Sequence, residues 1–192
     1  MVPREIRGPR RFGSSARGGV NLRDTLDFLA PRFRAALHAA EEAYRRLGIR
    51  HALIGGVAAS AYSQPRGTKD IDFLVGEEAF DSRGVVLSFK AGVPQEACEV
   101  PIDNIPPHAR YVELYERALN EAVESDEPGI LIARPEMVAV TKLVGGRLHD
   151  VATVAGMLEA GTVDSGVLEG LVEPYPELRI QYDRAWGEWR RP

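Results

Sequence analysis

Asp70 and Asp72 stand two residues apart in Lys69 to Val75, a stretch that reads as a strand with both carboxylates on one face and Ile71 and Phe73 on the other. Two acids so placed can bind one divalent ion jointly or two side by side, and oxygen ligands of this kind suit Mg²⁺ or Mn²⁺. Upstream, Gly55 and Gly56 remove the side chains that would hold a ligand away from the backbone. They fall where a strand turns into a helix, and the unpaired N–H groups there favour a phosphate. Arg66 and Lys69 add positive charge beside the acids. A phosphate cradle next to an acidic metal site points to phosphoryl or nucleotidyl transfer, in which two metals about 4 Å apart steady the attacking and leaving oxygens. Zinc is disfavoured, because His38, His51, His108 and His149 have no i, i+4 spacing and Cys98 is the lone cysteine.

The elements that must position these residues follow from periodicity. His51 to Ile54 reads as a short buried strand and Val57 to Tyr62 as a helix. Before them, apolar residues from Leu22 to Leu47 recur at helical spacing, interrupted by Pro31, with Asn21 as N-cap and Gly48 as C-cap. After them, Gly84 to Ala91 reads as a strand and Ala97 to Ile105 as its antiparallel partner across Gly92 and Pro94, with Glu99, Pro101 and Asp103 sharing a face. Ala109 to Ala118 is helix-like. Asn120 to Glu124 and Gly129 to Ala133 read as a second hairpin. Helices are expected at Arg134 to Arg147, with an apolar stripe from which Lys142 stands apart, at His149 to Ala160, from near Asp164, and at Glu177 to Arg190.

With 192 residues and 44 % hydrophobic content, the chain can bury a sizeable core. Its net charge of -4 argues against wholesale coating of nucleic acid. Met1 to Val20 carries five arginines against one acid, a net +4, which leaves -8 on the rest. That arm reads as a disordered basic leader. Three segments are expected: the arm over residues 1–20, a catalytic domain over 21–160, and a C-terminal helical extension over 161–192. No disulfide is possible within the chain, no apolar run approaches the ~20 residues that span a bilayer, and no signal peptide is evident, so a cytoplasmic protein without a membrane partner is expected.

Gly55 and Gly56, a short helix, then Arg66, Thr68, Asp70, Ile71 and Asp72 resemble the signature of the DNA polymerase β-type nucleotidyltransferase superfamily. This version of the pattern is similar to that of small bacterial nucleotidyltransferases related to abortive-infection toxins. The likeness is specific over Ile49 to Val75 and extends more loosely to about Leu158 through Ile130 to Pro135, Lys142, Arg147 and Asp150. It implies an α/β nucleotidyltransferase fold with a mixed central sheet backed by helices, to which the helices expected beyond the likeness add a C-terminal helical annex. It further implies Asp70 and Asp72 as catalytic ligands of Mg²⁺ or Mn²⁺, joined by Asp103 as the third carboxylate, with Glu99 as the alternative. It places Gly55 and Gly56 at the nucleoside triphosphate, and Arg66, Thr68, Lys69 and Lys142 are further candidates for contacts to the same ligand.

On their residue types alone, Arg66 reads equally as a phosphate ligand or the partner of a surface acid, Thr68 as support for a turn, and Arg147 with Asp150 as a helix-terminal ion pair. Cys98 reads as a buried small apolar side chain. The activity implied is transfer of a nucleoside monophosphate from a nucleoside triphosphate to the hydroxyl of a protein, a tRNA or a small molecule, in a toxin–antitoxin or phage-defence setting with a cognate antitoxin as partner. The alternative is a nucleotide-binding or antitoxin-like module of the same fold without turnover.

Overall fold

A computed structural model describes residues 20–81 and 88–190, so the basic arm expected over residues 1–20 lies, but for Val20, outside the described residues. Helices α1 (Leu22–Phe28) and α2 (Pro31–Leu47) are divided at Pro31, which starts the second helix because it can neither donate nor continue the first. Asn21 caps α1, and Gly48 closes α2 with a left-handed φ of 65°. The chain continues through β1 (His51–Ile54), α3 (Gly55–Ala61), β2 (Ile71–Val75), β3 (Phe80–Asp81), β4 (Ser88–Phe89), β5 (Glu96–Ala97) and β6 (Val100–Ile105). It then forms α4 (Val112–Asn120), β7 (Val123–Glu124), β8 (Leu131–Ile132), α5 (Pro135–Gly145), α6 (Leu148–Glu159), α7 (Ser165–Val172) and α8 (Pro176–Trp189).

The fold is α/β, a six-stranded mixed sheet in the order β5-β6-β2-β1-β8-β7 backed by helices. β1 is antiparallel to β2 and parallel to β8, while β6 runs parallel to β2. The outer strands β5 and β7 are antiparallel to their neighbours. Every residue of β1 is buried, as a strand flanked on both edges requires. α2 lies across the face that carries Phe73, where Tyr44 meets the Phe73 ring edge-on at 5.0 Å. Leu168, Leu171 and Val172 of α7 and Leu178, Tyr182 and Ala185 of α8 join the same buried cluster as the sheet.

Three expected elements are corrected. The strand Gly84 to Ala91 is not the partner of Ala97 to Ile105: its described part, β4, pairs with β3 in a separate two-stranded sheet, and residues 84–87 lie outside the described residues. Ala97 to Ile105 is not one strand either. Cys98 and Glu99 adopt φ values of 49° and 60°, the paired positive φ of a two-residue hairpin turn, so β5 folds back on Val100 and Pro101. This leaves the inner edge of β6 free for β2. It also removes Glu99 from the face of Asp103 and leaves Cys98 exposed at the hairpin tip. Finally, β2 begins at Ile71, so Asp70 belongs to the turn before the strand.

A buried carboxylate–imidazole contact fastens α2 to the sheet. Glu41 and His51 are 2 % and 7 % exposed, with His51 Nε2 2.6 Å from Glu41 Oε2 and Nδ1 2.8 Å from the Ile49 carbonyl. Glu41 Oε1 accepts the Leu131 N–H at 2.9 Å, so one carboxylate joins α2, β1 and β8. Truncating it strands an imidazole and a backbone donor without partners. Glu41→Ala is expected to lower the unfolding free energy by about 3 kcal/mol in urea titrations. A loss below about 1 kcal/mol would show that the pair contributes little to stability.

Candidate functional site

A cavity of about 570 Å³ opens where the ends of β2 and β6 meet α3, α4, α5 and α6. Its lining includes Gly55, Gly56, Arg66, Thr68, Asp70, Asp72, Asp103 and Lys142. Lys69, expected at the triphosphate, is exposed in the turn before Asp70 and is not among the residues that line the cavity. Glu99 is likewise outside, on the hairpin turn, 3.9 Å from Arg32.

The parallel register of β2 and β6 brings the acids together: Asp72 pairs with Asp103, flanked by Ile71 with Ile102 and Phe73 with Asn104. Laterally paired residues point to the same side of a sheet, and both carboxylates face the cavity. Asp70 joins them from the preceding turn, where the Thr68 hydroxyl donates to its Oδ1 at 3.0 Å. Thr68 thus supports the turn and orients an acid at once.

The glycines serve Asp72 directly. Gly55 has φ 70°, and a Cβ built on it would fall 1.8 Å from Asp72 Oδ2, so only glycine leaves room for that carboxylate. The Gly56 N–H donates to the same oxygen at 3.3 Å. One backbone donor expected to meet phosphate is therefore occupied by an acid of the site. A Cβ on Gly56 would meet Thr68 Oγ1 at 3.1 Å, so this second glycine lets the acid-bearing turn approach α3.

The cavity also has a cationic part. Lys142 Nζ lies 3.3 Å from Oδ1 of Asp150, which is only 4 % exposed and also has His149 Nε2 at 3.4 Å and Arg147 Nε at 4.0 Å. Arg66 donates through Nη2 to Thr153 Oγ1 at 2.7 Å on α6. One buried carboxylate therefore holds several bases in place without matching their combined charge. Tyr115, Thr141 and Thr153 complete these walls and are absent from the sequence reading. Thr141 and Thr153 are polar interruptions within apolar helices, a signal present in the sequence; Tyr115 carries none that separates it from core packing.

Burial pushes the Asp72 carboxyl above its ordinary value, and the negative charges of Asp70 and Asp103 push the same way, against the Gly56 N–H and Lys142. Among the described residues no three His, Cys, Asp or Glu side chains form a closed ligand cluster. The three aspartates line one cavity without converging on a point. This donor set nevertheless fits a hard divalent cation: it is all oxygen, it concentrates uncompensated negative charge, and a cation would relieve it.

Because the Asp72 carboxyl is raised in the folded chain, the stability it contributes is full below the ordinary value of 3.8 and is lost as pH climbs through its folded value. With chelator at pH 7, Asp72→Asn is expected to melt above the wild type in scanning calorimetry, and the advantage should vanish below about pH 4. Excess Mn²⁺ should raise the melting temperature of the wild type and leave the variant unmoved. A variant that melts below the wild type in chelator would contradict this charge balance.

No family model matches the sequence, and no curated protein matches it. Among solved structures, the chain is similar to an antigenic nucleotidyltransferase-like protein from Paracoccidioides brasiliensis, at 15 % identity and a TM-score of 0.46, over 81 % of this chain and 94 % of that one. Among the described residues, no helix is long and apolar enough to cross a membrane.

Proposed function

We propose that the chain is a metal-dependent nucleotidyltransferase that moves a nucleoside monophosphate from a nucleoside triphosphate to an acceptor hydroxyl. The observation that carries this reading is the lateral pairing of Asp72 with Asp103 inside a cavity that also holds Asp70 and, on other stretches of its lining, Arg66, Lys142 and Arg147. Acids gathered against burial cost stability, and a site that also supplies cations suits a ligand that brings both a metal and phosphates. The resemblance of Gly55 to Asp72 to the DNA polymerase β-type pattern supports the same reading.

In this mechanism Asp70, Asp72 and Asp103 hold Mg²⁺ or Mn²⁺, which when bound neutralises the phosphate charge and favours the ionised acceptor hydroxyl. Thr68 and the Gly56 N–H keep Asp70 and Asp72 in place. Arg66, Lys142 and Arg147 attract the triphosphate. Asp103, the most exposed of the three acids, can take the acceptor's proton. The acceptor oxygen then bonds to the α-phosphorus as the bond to the bridging oxygen breaks, and pyrophosphate leaves. A protein, a tRNA and a small molecule all present suitable hydroxyls. A cytoplasmic toxin–antitoxin or phage-defence system with a cognate antitoxin is the setting that the abortive-infection resemblance supports.

A second reading, a nucleotide-binding module without turnover, is favoured by one observation: the aspartates do not converge as a closed ligand cluster. Incubation with each α-labelled triphosphate, Mn²⁺ and a bacterial lysate separates the two. Transfer of label is expected, with a loss of at least about 100-fold, or about 2.7 kcal/mol of barrier, in Asp70→Ala, Asp72→Ala and Asp103→Ala. Glu99→Ala should retain wild-type transfer. Label transfer that survives Asp72→Ala would refute the metal site, and tight nucleotide binding without any transfer would favour the module.

A further inference from the structure

On the face of the sheet opposite the aspartates, buried polar contacts run from α2 to the edge of β6. Phe73 and Asn104 are paired across β2 and β6, one residue beyond the Asp72 and Asp103 pair, and so face α2. The Asn104 Nδ2 donates to the Pro94 carbonyl at 2.6 Å, and Tyr44 on α2 donates its hydroxyl to Asn104 Oδ1 at 2.7 Å. A carbonyl can only accept, so the amide nitrogen must face Pro94 and the amide oxygen must face Tyr44.

Tyr44 is fully buried. Its ring stacks on His51 at 4.7 Å and meets Phe73 at 5.0 Å. Burial, reinforced by Glu41, pushes its phenol far above the ordinary value, so the hydroxyl keeps its proton and remains a donor.

Asn104 sits where β6 needs support. β5 pairs only with Val100 and Pro101. Beyond them the outer edge of β6 is held by the Ile102 N–H, which donates to the Gln95 carbonyl at 2.9 Å, and by the Asn104 side chain on Pro94. Asp103 lies between those two attachments. A shift of Asn104 must rotate the peptide that carries Asp103, and a displacement near 1 Å is enough to spoil a reacting geometry.

We propose that Tyr44 is a positioning residue for the site: its hydroxyl, acting through Asn104, fixes the segment of β6 that sets Asp103 beside Asp72. The consequence for metal binding rests on the function proposed above, whereas the restraint on β6 does not.

Two measurements on Tyr44→Phe, with Asn104→Leu as a second variant, test this. Phenylalanine keeps the ring packing and deletes only the hydroxyl. Amide hydrogen exchange over residues 102–105 is expected to quicken about tenfold, with β1 unchanged. Mn²⁺ binding followed by electron paramagnetic resonance should weaken about tenfold in Tyr44→Phe, the size of effect that outer partners of metal ligands have. If Tyr44 acts through Asp103, the same substitution should weaken Mn²⁺ no further in an Asp103→Ala background. Unchanged exchange over 102–105, or equal weakening in both backgrounds, would overturn the proposal. A wild type that takes up no Mn²⁺ would refute the metal reading instead, and the exchange result would still decide whether Tyr44 restrains β6.

Discussion

Parallel pairing of β2 with β6 sets two carboxylates in lateral register, and the rest of the site is arranged around the buried one, Asp72. Side chains on laterally paired residues start roughly 5 Å apart, and the Asp72 carboxyl is raised first by burial, then by the charge of Asp70 and least by that of Asp103. Exposure of Asp103 softens the cost, whereas burial of Asp72 sharpens it. The offsets are specific: a backbone donor from Gly56, the side-chain space left by Gly55, and the nearby charge of Lys142. Lys142 is itself held by Asp150. Acidic and basic groups of the cavity are therefore coupled before any ligand arrives.

The supporting scaffold is the other face of the same sheet. Tyr44, His51 and Phe73 form an aromatic cluster beneath the acids, and Glu41 ties that cluster to β1 and β8. Backbone direction transmits this order, because alternate residues of β6 face opposite ways: Asp103 meets the cavity while Asn104 meets α2. Rigidity on one face becomes placement on the other. The cost of burying Glu41, His51 and the Tyr44 hydroxyl is thus borne in the part of the core nearest the site.

Much of this was legible in residue types and spacing. Pro31 divides the first helices, Asn21 and Gly48 cap them, and the all-apolar centre of β1 is read directly as a buried strand. Gly55, Gly56, Asp70 and Asp72 come together because they are separated by one short helix and a turn, a local arrangement that sequence order nearly dictates. What local pattern could not convey was strand partnership. The hairpin turn at Cys98 and Glu99 uses positive φ at two residues other than glycine, which hides it from turn chemistry and makes Ala97 to Ile105 look continuous. The same hidden turn placed Glu99 on the wrong face. The polar restraint of Tyr44 on Asn104 spans sixty residues, and neither residue type announces it.

The central claim, that Asp70, Asp72 and Asp103 together hold a divalent cation at a bound triphosphate, is tested most directly by anomalous diffraction from crystals grown with Mn²⁺ and a non-hydrolysable nucleoside triphosphate. The prediction is a manganese peak within ligand distance of the Asp72 and Asp103 carboxylates, with the phosphates extending towards Lys142. A triphosphate bound elsewhere, or manganese density away from Asp72 in the presence of bound nucleotide, would contradict it.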